Sequence, residues 1–240
     1  MKALVIIPVY NEEKNIEKVI NDLQIHCKEC DYIIVNDCSN DGTKALCERK
    51  NYKVIHLPVN LGIGGGMQTG YKYAYENGYD VAIQFDGDGQ HNAQYINELI
   101  KKLETEQLDM VIGSRFLTKE GFQSSFMRRM GIRFFSRLLY MLTKQKITDP
   151  TSGFRVVNKQ VIESFCRYYP KDYPEPESIA AILRQGYRIG EMPVLMNERV
   201  SGVSSINLGK SIYYMIKVSM AICIDTLKVH EGRQEECHYN

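Results

Sequence analysis

Five short β-branched runs recur along the first half of the chain, each closed by turn residues. They are ALVIIPV (3–9), YIIVND (32–37), KVIHL (53–57), VAIQFD (81–86) and MVIGS (110–114). Stretches with helical spacing separate them at 12–27, 41–50, 66–77 and 92–106. Strands alternating with helices of roughly 10–15 residues predict βαβ units, hence a mostly parallel sheet with helices on both faces. In such a sheet ligands bind beyond the carboxyl ends of the strands. The segments at those ends are polar: Pro8-Val9-Tyr10-Asn11-Glu12, Asn36-Asp37, Asn60-Leu61-Gly62, Asp86-Gly87-Asp88 and Gly113-Ser114-Arg115. The pattern predicts a nucleotide-sized site along one sheet edge.

The second half changes character. Residues 121–148 hold six basic residues and no acid: Arg128, Arg129, Arg133, Arg137, Lys144 and Lys146. Phe122, Phe126, Phe134, Phe135, Leu138, Leu139 and Met141 are interleaved with them. DPTSGFRVVNK (149–159) then leads into a helix-and-strand stretch to about 195, and 205–227 is amphipathic and rich in Ile, Met and Tyr. With no internal repeat or low-complexity linker, the expectation is one α/β domain over 1–204. Residues 205–240 form a C-terminal extension of amphipathic helix and polar tail that associates with a membrane or a partner.

Composition narrows the function classes. The chain of 240 residues is 44% hydrophobic and 25% charged with net charge +1, which excludes a globally basic nucleic-acid binder. Seven scattered cysteines suit a reducing cytosol better than a disulfide framework. His26-Cys27 and Cys30 lack the second ligand pair of a structural zinc site. The opening MKALVIIPVYNEE is too short for a signal peptide. No uncharged apolar run reaches the ~18 residues of a membrane span.

QFDGDGQH (84–91) places two carboxylates one residue apart at a strand end. One reading is a plain turn, since Asp-Gly pairs favour turns. A calcium loop fails where His91 stands in place of the required glycine and Asn97 in place of the bidentate glutamate. The third reading is a Mg²⁺ or Mn²⁺ site for a nucleotide diphosphate, because such ions take one or two carboxylates and leave the rest to phosphate and water. NLGIGGGMQTG (60–70) lacks the GK[ST] ending of a P-loop, and a dinucleotide fingerprint belongs in the first βα turn, which here reads PVYNEE. The glycine run reads as a tight loop under the site.

Pro8-Val9-Tyr10-Asn11-Glu12, Asp37 and Asp86-x-Asp88-x-Gln90-His91 together resemble the inverting family 2 glycosyltransferases. Gly113-Ser114-Arg115-Phe116 and Asp149-Pro150-Thr151-Ser152-Gly153-Phe154-Arg155 are similar to the polyprenyl-phosphate branch, which includes dolichol-phosphate mannose synthase. The resemblance covers residues 3 to about 207. It implies a GT-A fold, a nucleotide-diphosphate sugar donor and a divalent metal. Carried onto this chain, Pro8, Tyr10 and Glu12 wrap base and ribose, and Asp37 accepts from the uracil or guanine ring. Asp86 contacts ribose or metal, and Asp88 with Gln90 holds Mg²⁺ or Mn²⁺. Arg115 faces the phosphates or the acceptor, and Arg155 helps neutralise the leaving diphosphate. Arg199 and Ser204 lie in a late motif that closes over the diphosphate. Bland readings stay open: Glu12 as a helix N-terminal acid, Asp37 as an Asx turn, Arg199 as a surface charge.

A hydroxyl acceptor needs a general base, whereas a lipid phosphate is already ionised. KDYPEPES (171–178) offers Asp172, Glu175 and Glu177, with Glu177 or Glu175 as the base, or else simply starts a helix. The implied catalytic set is Asp88, Arg115 and Glu177. The basic aromatic segment 121–148 suits an anionic membrane surface. The reading is transfer of a hexose from a UDP-sugar to polyprenyl (undecaprenyl) phosphate, for cell-surface polysaccharide assembly. The enzyme would be peripheral on the inner face of the plasma membrane, with a small integral-membrane partner or a homo-oligomer as further options. The alternatives are a transferase to a sugar hydroxyl of a lipid-linked glycan, such as a rhamnosyltransferase, a non-catalytic nucleotide-sugar scaffold, and a Rossmann dehydrogenase.

Overall fold

The computed structural model describes residues 1–118, 126–172, 174–197 and 215–222. Seven strands form one sheet: β1 (Ala3–Val9), β2 (Asp31–Asn36), β3 (Val54–His56), β4 (Val81–Gln84), β5 (Met110–Ser114), β6 (Arg155–Asn158) and β7 (Ile189–Pro193). Their order is β3-β2-β1-β4-β6-β5-β7. All neighbours are parallel except β6, which runs antiparallel to both β4 and β5. The helices are α1 (Ile16–His26), α2 (Thr43–Arg49), α3 (Gly62–Glu76), α4 (Ile96–Thr105), α5 (Phe126–Thr143), α6 (Lys159–Arg167) and α7 (Pro174–Arg184). No described helix is long and apolar enough to cross a membrane.

β1 is buried at all seven positions, as a central strand covered on both faces must be. Its side chains alternate between two cores. Leu4 and Ile6 join Met67, Tyr71, Phe135 and Phe165 on one face. Val5, Ile7 and Val9 join Ile16, Ile20 and Leu99 on the other. Pro8 is tolerated here because of register. Phe85 N–H reaches Ile6 O at 3.0 Å, so the polar groups of Ile6, and two residues on those of Pro8, face β4. The β1–β4 ladder ends at Ile6–Gln84, before Pro8 would need a donor.

The chain leaves β1 toward β2 and β3 on one side and returns on the other side as β4. That reversal makes a crevice beyond the carboxyl ends of β1 and β4. PVYNEE and DGDGQH, remote in sequence, meet there.

Two details depart from expectation. The glycine run is the opening turn of α3, which begins at Gly62 and not as a loop before residue 66. Glycine at 64 permits a close approach: a Cβ there would lie 2.0 Å from Pro170 O, and Gly64 N–H donates to Lys171 O at 3.0 Å. Second, a disulfide joins Cys27 and Cys30, where the sequence was read as favouring a reducing environment over disulfides. The turn closing α1, with Cys30 N–H on Cys27 O at 3.2 Å, brings the two together. Residues 215–222, within the extension expected to carry an amphipathic helix, are helical, and Val218 and Ile222 join the core beside Phe135 and Leu139.

Candidate active site

The site is assembled from loops that cross-link one another. After β1, Asn11 adopts φ 58°, a left-handed conformation that asparagine tolerates. Its N–H donates to Ser39 Oγ at 3.0 Å, and its Oδ1 accepts from Asn40 N–H at 2.8 Å. Tyr10 is half-exposed beside them, its hydroxyl accepting from Asn40 Nδ2 at 3.2 Å. Pro8 lies buried below. Glu12 N–H donates to Thr43 Oγ1, and Glu12 Oε2 accepts from Asn15 Nδ2 at 2.6 Å. Glu12 thus ties the first and second βα loops at the start of α1.

Asp37 is 5% exposed and does more than end β2. Its two carboxylate oxygens accept the N–H groups of Leu61 (2.6 Å) and Gly62 (2.8 Å). A carboxylate over the first free amides of α3 matches the positive end of the helix dipole. Asp37 therefore locks the glycine-rich turn to the β2 loop, a bond between residues 24 apart that local pattern did not reveal.

Asp86 and Asp88 follow β4. Asp86 N–H donates to His91 Nδ1 at 3.0 Å, so Nδ1 is the acceptor and the ring proton sits on Nε2, 3.4 Å from Asp86 Oδ2. His91 is stacked on Phe154 (centroids 4.9 Å apart), and burial pushes it down to about 4, which keeps it neutral. Burial, with Asp88 next, pushes Asp86 up to about 7. Asp88 Oδ1 accepts Gln90 N–H at 3.0 Å. Gln90 contributes through its backbone, its carbonyl accepting from Asn197 N–H at 2.8 Å.

A divalent cation fits this donor set. Two carboxylates that repel each other are relieved by a cation between them. No group of three or more His, Cys, Asp or Glu capable of holding a metal occurs among the described residues. Mg²⁺ and Mn²⁺ take one or two carboxylates and complete their shell with water and phosphate. Glycine at 153 leaves the approach open, since a Cβ there would stand 2.9 Å from Asp86 Oδ2.

Arg115 is 11% exposed at its side chain and forms a fork-to-fork pair with fully buried Asp149. Nε meets Oδ2 and Nη2 meets Oδ1, each at 2.7 Å, and Nη2 also reaches Thr151 Oγ1 at 2.9 Å. Asp149 is itself positioned from β7. Glu191 accepts the N–H groups of Thr148 and Asp149 and the Thr148 hydroxyl, all within 3.0 Å. Nothing in GEMP signalled Glu191, whose partners lie more than 40 residues away.

Arg155, expected to help neutralise the leaving diphosphate, is held inside the protein, where its charge is felt by Asp86. It is 1% exposed, and its guanidinium donates to Ser152 O, Ser178 Oγ and Pro150 O. It braces the DPTSG loop against α7 from inside. Glu175 and Glu177 open α7 two residues apart and point about 200° from each other. Burial pushes Glu175 up, opposed by Arg155 and reinforced by Asp86, so this acid shares the electrostatic environment of Asp86. Glu177, the expected catalytic acid, faces elsewhere. Burial raises it too, opposed by the Tyr168 hydroxyl, which donates to it at 3.0 Å, and reinforced by the like charge of Asp172. It lines a separate cavity of about 490 Å³ with Gln68, Lys171 and Val218. Arg199 and Ser204 lie outside the described residues.

Residues 4–165 match Glycosyl transferase family 2. The chain belongs to this family. A UDP-N-acetylglucosamine–dolichyl-phosphate N-acetylglucosaminyltransferase of Methanococcus voltae is 32% identical over 79% of this chain and 83% of its own length. An undecaprenyl-phosphate mannosyltransferase of Micrococcus luteus is 28% identical over 87% and 89%. Among solved structures, glucosyl-3-phosphoglycerate synthase from Mycobacterium tuberculosis, in complex with Mn²⁺ and uridine-diphosphate-glucose, superposes with TM-score 0.71. It is 18% identical and covers 92% of this chain and 79% of that one. The protein is a glycosyltransferase of GT-A fold, and the mixed seven-stranded sheet is the frame that likeness rests on.

Proposed function

We propose that this glycosyltransferase moves a hexose from a UDP-sugar to a polyprenyl phosphate at the cytoplasmic face of a membrane, supplying cell-surface polysaccharide assembly. The observation that carries the reading is that two relatives, matched over about four fifths of this chain or more, both have a polyprenyl or dolichyl phosphate in their names. An acceptor phosphate is ionised near neutral pH, so its oxygen attacks the anomeric carbon without a base. The bond from that carbon to the diphosphate breaks, its electron pair leaves with the nucleoside diphosphate, and the anomeric centre inverts. Asp86 and Asp88 would hold Mg²⁺ or Mn²⁺, which when bound neutralises charge on the diphosphate. Gln90 would complete that set, and Arg199, with Ser204 in the same late motif, would close over the diphosphate. Asp37 presents the rigid start of α3, Pro8, Tyr10 and Glu12 flank the base and ribose, and Arg115 offers a fixed cation that needs no reorganisation as charge develops.

A second reading, transfer to a sugar hydroxyl on a lipid-linked glycan, needs a base. Glu175 is favoured there over Glu177, because burial raises it and it shares the electrostatic environment of Asp86.

The test is incubation of purified protein with radiolabelled UDP-glucose and Mg²⁺, with and without undecaprenyl phosphate, and counting of label in the organic phase. Label that requires both lipid and metal supports the first reading. Its absence across other UDP-sugars, with transfer to a glycan acceptor instead, would overturn it in favour of the second.

A further inference from the structure

We propose that α5 and the helix at 215–222 form the face on which the protein rests against an anionic lipid bilayer, a proposal that rests on the lipid-phosphate reading above. Along α5, Ile132, Phe135 and Leu139 point into the core. The opposite face would ordinarily be polar. Here Met130, Phe134 and Met141 are 43–62% exposed at positions i, i+4 and i+11 of one stripe, with exposed Arg137 at i+7 and Arg133 alongside. Exposed Lys144 and Lys146 follow just beyond the helix end.

The second helix continues the surface. Met215 Sδ lies 3.9 Å from the Cβ position of Gly131, so the two helices touch. Val218 and Ile222 are buried, while Ile216 and Met220 are each 57% exposed. Of the seventeen exposed large apolar side chains among the described residues, seven sit on these two helices. Neither helix carries an Asp or Glu.

Charge selects the occupant. In a two-fold dimer each stripe would meet its own copy, bringing Arg133 and Arg137 against like charges with no acid on either helix to pair them. A leaflet of anionic lipid supplies negative head groups for the arginines and hydrocarbon for Met130, Phe134 and Met141. It also brings the site to the surface where a polyprenyl phosphate resides.

The full chain is sedimented with phosphatidylcholine vesicles with and without phosphatidylglycerol, at low and high salt. Wild type partitions to the anionic vesicles and is released by salt. Each cation contributes about five-fold, so Arg133→Gln, Arg137→Gln and Lys144→Gln together lower partitioning about 100-fold. Phe134→Ser with Met141→Ser also weakens it, and circular dichroism checks that both variants fold. Unchanged partitioning of both variants would overturn the proposal. So would light scattering showing a wild-type dimer that the Phe134→Ser, Met141→Ser variant abolishes. Transfer to detergent-dispersed undecaprenyl phosphate, assayed in parallel, separates the two readings. Variants that lose vesicle binding but keep transfer support the surface, whereas wild type that binds vesicles yet transfers nothing overturns the lipid-phosphate reading alone.

Discussion

Asp149→Ala removes the carboxylate partner of Arg115, a largely buried cation near the site. Asp149 Oδ2 accepts the Arg115 backbone N–H (3.1 Å) and Nε (2.7 Å), and Oδ1 accepts Nη2 (2.7 Å). Asp149 is 0% exposed and the Arg115 side chain 11%, so water has little room to replace the carboxylate. Removing one member of a buried pair leaves an uncompensated charge and costs about 3–5 kcal/mol. At about 2–4 °C per kcal/mol for a chain of this size, Tm falls by roughly 6–20 °C. The chain has no tryptophan and 16 tyrosines, so urea and thermal unfolding are followed by far-UV circular dichroism and tyrosine emission. The double variant Arg115→Met, Asp149→Leu should recover much of the loss, because apolar groups of similar volume often replace a buried pair without penalty. A single variant losing under about 1 kcal/mol, or a double variant losing the sum of both singles, would refute this account of the pair.

Three further outcomes follow from the site. Asp88→Asn removes one of two repelling carboxylates, so transfer falls about 100-fold or more and the rise in Tm on adding Mn²⁺ disappears; a variant still stabilised by Mn²⁺ would place the ion elsewhere. Gly64→Ala puts a methyl 2.0 Å from Pro170 O and 2.4 Å from Lys171 O, and pushing against backbone lowers stability by about 1–3 kcal/mol in urea titrations. Glu177→Gln leaves turnover at the wild-type level, and Glu175→Gln lowers it with a sugar-hydroxyl acceptor but not with a lipid phosphate; a loss at Glu177 alone is the result that restores Glu177 as the reacting acid.

Contiguous chemistry was readable from the chain itself. β1 had to be central because seven apolar residues in a row leave neither face for water. PVYNEE and DGDGQH could be matched as motifs because their polar atoms act within a few residues of one another, as Asp88 Oδ1 does with Gln90 N–H. The family, the fold and most of the positions at the carboxyl edge of the sheet followed from that local information.

Tertiary structure decided whatever depended on burial or on a distant partner. Arg115 and Arg155 look alike in sequence, yet one lines the site region through Asp149, 34 residues on, and the other is sealed beneath it. Glu175 and Glu177 share one PEPE repeat, and helical rotation together with what packs on each face of α7 separates an acid that senses Asp86 from one facing Tyr168. On α5 the periodicity marked two faces without saying which would be covered. Side-chain spacing fixes which residues share a face, but solvation energy is settled by the elements that arrive from elsewhere in the chain. The insertion of β6 between β4 and β5, and the packing of 215–222 against α5, are such arrivals.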